Sequence, residues 1–299
     1  MTGLLLLDKP AGITSFAAVA KVRRLVGEKK AGHTGTLDPL ATGVLPILFG
    51  GATRLANYMP DGDKEYITRL RLGIATDTLD ITGKLLAEKP VQTGRAAVLS
   101  ALSAFRGQIE QIPPMYSALS QNGVRLYELA RMGKTVERPA RQVEIYDLTL
   151  LDAAPDLPLH EYDLRVRCSA GTYIRSLVDD LGRALGCGAV VVTLRRTVAH
   201  GFTLAQCVTL EELEASGADC LRPVAEILHT LPVAVVTDAQ AKRFCNGGAL
   251  DFERLPACTG IAEESPAQVQ TAAGNLLGIG KARAAQLCPV VVVGDCSEC

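Results

Sequence analysis

The sequence predicts an α+β protein: a mixed, largely antiparallel sheet with flanking helices, followed by a small β-rich C-terminal unit. Three observations predict it. Strand-like and helix-like patterns interleave, but with hairpins among them, which disfavours a doubly wound parallel sheet. Strict alternation from Lys64 to Leu72 marks a half-buried strand with an antiparallel neighbour. Beyond Leu231-Pro232 the pattern changes to short strands with Gly-rich turns at Gly247-Gly248, Gly274, Gly278 and Gly280. A boundary there divides the chain into domains 1–230 and 231–299, the second a β-rich barrel or sandwich.

The elements follow in order. Gly3 to Leu7 reads as a short buried strand, stopped by Lys9-Pro10 and Gly12. Thr14 or Ser15 caps a helix to about Val26, with Phe16, Val19, Val22 and Val26 near one face and Gly27 closing it. A Gly/Thr/Pro-rich loop, Ala31 to Gly43, comes next. In the alternating strand, Tyr66, Thr68, Leu70 and Leu72 face one way, and Ile67, Arg69 and Arg71 the other. Thr93 caps a helix with Val98, Leu102 and Phe105 as its apolar stripe, ended by Gly107. Pro113-Pro114 opens a polar, basic stretch to Arg141 that projects from the core. Arg141 to Leu151 and His160 to Cys168 read as strands around a Pro/Asp turn. Ile174, Leu177, Leu181 and Leu185 give Thr172 to Leu185 helical spacing, with Gly186 as the stop, and Ala189 to Thr193 is strand-like.

Composition narrows the function. Of 299 residues, 48% are hydrophobic and 21% charged, which excludes disorder, collagen and coiled coil. Apolar runs such as Leu4 to Leu7 and Val290 to Val293 are too short to span a bilayer. Met1 to Asp8 lacks a positive n-region and a small-residue cleavage site, so the predicted location is cytoplasmic, with no membrane partner. The nine cysteines are scattered and read mostly as small buried hydrophobes, and only Cys296 and Cys299 form a CxxC. The four histidines lack ligand spacing, so no metal site is expected. Residues 1–210 carry 25 Lys+Arg against 20 Asp+Glu, whereas 211–299 carry 6 against 12. Such asymmetry is either solvated surface or a sign that one part alone meets a polyanion.

The loop Gly32 to Gly43 concentrates chemistry: three glycines and a proline tighten the backbone while His33 and Asp38 are held close together. Asp38-Pro39 is also an ordinary turn starter. A Walker Lys-Ser/Thr is missing and no GxGxxG opens a helix, so neither kind of nucleotide site is supported.

The motifs together resemble the TruB-type tRNA pseudouridine synthases, which isomerise uridine-55 in the T loop. The resembling residues are Gly3-Leu4-Leu5-Leu6-Leu7-Asp8-Lys9-Pro10 with Gly12-Ile13-Thr14-Ser15, the whole Gly32 to Gly43 loop, and Asp63-Lys64-Glu65-Tyr66. Ile112 to Leu119, Cys168 to Arg175, and Leu194-Arg195-Arg196 with Gly201-Phe202-Thr203 complete the set, in order across about Gly3 to Leu210. The resemblance implies the pseudouridine synthase fold and particular roles. Asp38 matches the essential aspartate, acting as nucleophile or on the sugar or base. Tyr66 matches the tyrosine that stacks on the flipped uracil, and Arg175 the arginine that pairs with the catalytic carboxylate. His33, Tyr173 and Leu194 match pocket positions, with Lys9 at a strand end nearby. The stretch of about 113–141, holding Arg125, Arg131, Lys134, Arg138 and Arg141, resembles an inserted thumb that holds the T arm of tRNA. Leu276 to Gly280 looks like part of a PUA-type RNA-binding barrel, although this end of the chain is acidic.

The implied chemistry suits these residue types. Breaking N1–C1′, turning the uracil and joining C5 to C1′ moves no electron or group between molecules, so no cofactor is implied. A carboxylate can attack the anomeric carbon or stabilise charge there. The base must first be flipped out, at a cost of a few kcal/mol, which stacking on Tyr66 and His33 partly offsets. The resemblance implies a monomer acting on tRNA. Two other readings stay open: a tRNA-binding folding factor with secondary or no catalysis, and a small-molecule N-riboside or glycoside hydrolase using Asp38 with Asp179 or Asp180, which read as exposed helix-face residues.

Overall fold

The computed structural model describes residues 1–60, 62–152, 157–258 and 260–293. The Cys296/Cys299 pair and the centre of the Pro/Asp turn lie outside the described residues.

A nine-stranded sheet forms the larger unit. Its main path runs Gly3–Lys9, Thr42–Phe49, Ala189–Ala199, Lys64–Leu72, Glu161–Cys168, Arg141–Leu150 and Gly107–Gln111. Pairing along this path is antiparallel except between Thr42–Phe49 and Ala189–Ala199. The Leu4 to Leu7 run is continuous because both faces of its strand are covered. Leu5 and Leu7 pack with Val19 and Val22 of the helix Ser15–Val26, while Leu4 and Leu6 join Val44, Leu48 and Leu55 on the other side. Bridges from Leu4 to Arg222 and from Leu7 to Val208 cover this strand's outer edge.

The second sheet has six strands, in the order Leu250–Asp251, Gln286–Val292, Leu276–Arg283, Pro266–Thr271, Val233–Val236 and Ala257–Cys258. Its Ile279 enters the cluster of Leu4, Leu6 and Leu48, so the two sheets share this cluster, while the second sheet keeps a core of its own around Phe244, Val269 and Leu287.

Several boundaries differ from the sequence reading, each for a physical reason. Thr14 is the helix cap, accepting from the Ala17 N–H at 3.0 Å, because the Ser15 hydroxyl is spent on Leu37. The helix read from Thr93 starts after Gly94 as Arg95–Ala101 and tightens into a 3₁₀ turn, Leu102–Phe105. The later helix begins at Ile174 rather than Thr172, since the Gln111 amide captures both backbone groups of Tyr173. The strand read as Ala189 to Thr193 continues to Ala199, kept in register with Lys64–Leu72 by two bulges. Cys168 and Cys187 are buried, whereas Cys207, Cys220, Cys258 and Cys288 are only half-buried. The 113–141 stretch contains a hairpin, Ser120–Gln121 with Val124–Arg125, and a helix, Leu126–Arg131, anchored by buried Leu126.

Candidate active site

Asp38 sits between two pinned neighbours. The buried Ser15 hydroxyl accepts from the Leu37 N–H at 2.8 Å and donates to the Leu37 carbonyl at 2.9 Å. On the other side the Gly12 N–H donates to the Pro39 carbonyl at 2.8 Å. Beneath the loop, the buried Arg196 guanidinium donates to the Val44 carbonyl at 2.8 Å and the Gly35 carbonyl at 3.1 Å. Gly43 must be glycine here: its φ is +104°, and a Cβ would lie 2.1 Å from the Arg196 carbonyl oxygen.

Arg175 enters from the first turn of the helix Ile174–Ala184. Its Nε and Nη2 meet the two oxygens of Asp38 at 2.8 and 2.9 Å, a bidentate pair. It also donates to the carbonyls of Thr78 at 2.7 Å and Tyr116 at 2.8 Å, with the Asp80 carboxylate 4.0 Å away. Every contact fixes the guanidinium, which is 4% exposed, while the Asp38 side chain remains 30% exposed. That asymmetry leaves the carboxylate available to a bound molecule.

The opening is a cavity of about 260 Å³ whose walls include Asp38, Tyr66, Tyr173, Arg175 and Leu194. Tyr66 faces it because residues of the Lys64–Leu72 strand alternate, and Cα register pairs Tyr66 with Arg196 on the neighbouring strand. Five of the residues predicted from the sequence are therefore brought together. Lys9 and His33 do not line the cavity. Lys9 is fully buried, and its ammonium donates to the Pro10 and Ile13 carbonyls, both at 2.8 Å. His33 lies behind the loop, its Nδ1 accepting from the Gly35 N–H at 3.4 Å.

Lys64, Thr36, Ser117 and Thr172 also line the cavity, and the sequence reading gave them no role. Lys64 was legible in principle, since it is two positions from Tyr66 on an alternating strand. Asp80 and Gln111 carried no such signal, because they reach the site through contacts distant in sequence. Asp179 corrects the reading of an exposed helix-face residue: it is buried and pairs with Arg183.

Burial and neighbouring charges together set the electrostatics of the site. Burial pushes the Asp38 carboxyl above its usual range, opposed by the Arg175 charge and reinforced by Asp80. Burial lowers Lys9 to about 8, with Asp38 acting in the other direction. Burial and then Arg196 lower His33, which favours a neutral ring. Burial raises the Tyr66 phenol, keeping it un-ionised near neutrality. A fixed carboxylate beside an aromatic wall can thus attack an electrophilic carbon, or balance charge there, while the ring supports a planar group.

Known proteins resemble the chain along most of its length. Residues 23–174 match the family model described as TruB family pseudouridylate synthase (N terminal domain), and 175–228 match tRNA pseudouridylate synthase B C-terminal domain. A protein of Cupriavidus metallidurans named tRNA pseudouridine synthase B is 45% identical over 292 residues, 96% of this chain and 92% of its own. Its namesake in Pseudomonas fluorescens is 48% identical over 289 residues, 94% of this chain and 92% of its own. In fold, the chain is similar to a solved chain in "Structure of H/ACA RNP bound to a substrate RNA containing 2'-deoxyuridine", with a TM-score of 0.73, 24% identity and coverage of 98% and 86%. With half the chain inside the family model and full-length relatives at this identity, the chain belongs to the TruB family of pseudouridylate synthases.

Proposed function

We propose that this protein is a tRNA pseudouridine synthase that isomerises uridine-55 of the T loop. The observation that carries the reading is the bidentate Asp38–Arg175 pair at the mouth of a cavity walled by Tyr66. In this reading the flipped uridine enters the cavity and its ring lies against Tyr66, with Tyr173 and Leu194 bounding it. Asp38 acts at the sugar, and Arg175 holds the carboxylate in one orientation. Lys9 and His33 act from behind the Asp38 loop, one through its charge and the other by supporting Gly35. Nothing is oxidised, reduced or transferred, so the chemistry calls for no cofactor.

The division of labour follows the two sheets: residues 1–230 carry the chemistry, and 231–299 form a smaller accessory RNA-facing unit. The basic stretch 113–141 grips the T arm. Support comes from Arg131, which lies over the Tyr127 ring at 5.4 Å, and from exposed Lys134 and Arg141. In this reading the protein acts as a monomer, in the cytoplasm. No helix among the described residues is long and apolar enough to cross a membrane.

Tritium release from tRNA transcribed with 5-tritiated uridine tests the reading, because C5 loses its hydrogen as it joins C1′. The wild type should release one label per tRNA, and Asp38→Asn should release none while still binding. Salt-dependent binding by both proteins without release would replace the enzyme with a folding factor.

A further inference from the structure

Among the described residues, Lys64 is a cationic wall of the cavity that makes no hydrogen bond or ion pair. It lies on the same face of its strand as Tyr66 and lines the cavity with Asp38 and Leu194. Its acidic neighbours point elsewhere and are engaged: Asp63 holds Arg167, and Glu65 accepts from the Thr197 hydroxyl at 2.8 Å. Arg196, 1% exposed and paired in register with Tyr66, donates to carbonyls and meets no carboxylate among the described residues. Asp38, the acidic wall of the cavity, is already held by Arg175. Lys64, with Arg196 beneath the Asp38 loop, therefore carries positive charge that no carboxylate among the described residues pairs with. Keeping such charge out of water is unfavourable unless an anion arrives.

The reaction proposed above, on which this inference rests, makes one. When the N1–C1′ bond breaks, its electron pair goes to N1 and the base becomes a uracil anion, its charge spread over N1, O2 and O4. The electron deficiency at C1′ is met by the Asp38 carboxylate. After the ring turns, C5 attacks C1′ and the Asp38 carboxylate is released; the C5 proton leaves to water and N1 takes a proton from water, so substrate and product have the same atoms and charge. We propose that Lys64 is a catalytic residue whose ammonium, backed by Arg196, stabilises the uracil anion between cleavage and rejoining. A group aimed at charge that develops in the reaction accelerates the chemical step more than it tightens substrate binding.

The groups facing Lys64 are Tyr66 on its own strand, Arg196 and Cys168 on the adjacent strands, Asp38 on its loop, and Tyr173 and Arg175 at the helix start. Burial, then Arg196, lowers the ammonium from its ordinary 10.5. Its loss of charge on the alkaline side therefore begins below that value.

Single-turnover tritium release with Lys64→Met and Lys64→Arg tests the assignment, with tRNA affinity measured separately. Lys64→Met should slow release by roughly 10²-fold while the Kd for tRNA stays near that of the wild type. Lys64→Arg should restore most of the rate and remove the alkaline fall seen in the wild-type pH profile. A Lys64→Met protein with the wild-type rate, or one whose loss lies wholly in Kd, would overturn the assignment and leave Lys64 a phosphate contact. Should Lys64→Met fail to fold, the alkaline limb decides alone: its persistence in Lys64→Arg is equally contrary. Release by the wild type separates all of these outcomes from failure of the synthase reading itself.

Discussion

Arg175 takes both oxygens of Asp38 yet leaves nearly a third of that side chain open to the cavity. Two opposing effects meet there. Burial favours the protonated acid, and Arg175 favours the carboxylate, with burial the larger. A reaction that needs the carboxylate therefore loses activity as pH falls through a value above the ordinary 3.8. The acidic limb of kcat/KM is predicted to lie higher than that of an exposed aspartate, and to move lower in Asp80→Asn, which removes the neighbouring negative charge. A limb that stays in place would show that Asp80 does not act on Asp38. The motif pointed to Asp38, Tyr66 and Arg175, and these do share one cavity. Asp80 escaped notice because its place beside Arg175 depends on two segments far apart in sequence meeting over one helix.

Two polar side chains do at this site what regular secondary structure does elsewhere. Ser15 satisfies both backbone groups of Leu37, and Gln111 satisfies both of Tyr173. Each holds the residue next to, or one step from, a key group: Leu37 precedes Asp38, and Tyr173 stands two before Arg175. Ser15→Ala leaves the Leu37 N–H and carbonyl buried without their partner, which should cost about 1–3 kcal/mol of stability. Loss of the pin should also lower kcat more than it raises KM, because the carboxylate is no longer held in place. Denaturant unfolding and steady-state kinetics on the same variant check both parts, and an unchanged kcat would make Ser15 a purely structural residue. The same pins explain what the sequence concealed. Alternation exposed the Lys64–Leu72 strand at once, since period two is a local property. The true start of the Ile174 helix was hidden, because Gln111 lies 62 residues upstream of the backbone it captures. Ala189–Ala199 read short for a related reason: bulges interrupt its alternation, and its neighbour rather than its own pattern keeps it extended.

The two sheets meet through the apolar contact of Leu4, Leu6, Leu48 and Ile279, and their charge balances are close, with 26 Lys+Arg against 25 Asp+Glu over 1–230 and 5 against 7 over 231–299. Polyanion binding should concentrate on the larger unit, because the basic stretch 113–141 belongs to it. Within the 113–141 stretch, Arg125 and Arg138 are committed to backbone carbonyls, whereas Lys134 and Arg141 are exposed. Replacing Lys134 and Arg141 by alanine together should reduce the slope of log affinity against log salt by about 1.5, since each phosphate contact contributes about 0.7–0.9. An unchanged slope would move the RNA contact elsewhere. The interleaved patterns made the α+β class legible, because hairpins and helices announce themselves locally. The shared cluster between the sheets was not legible, since the apolar faces that form it look alike whether they meet each other or separate partners.

The most direct test of the whole account is to map the product. Unmodified tRNA transcript is incubated with the protein, treated with a carbodiimide that remains on pseudouridine, and read by reverse transcription. A single stop at uridine-55, absent with Asp38→Asn, is the predicted result. No stop, a stop outside the T loop, or the same stop with Asp38→Asn would contradict it.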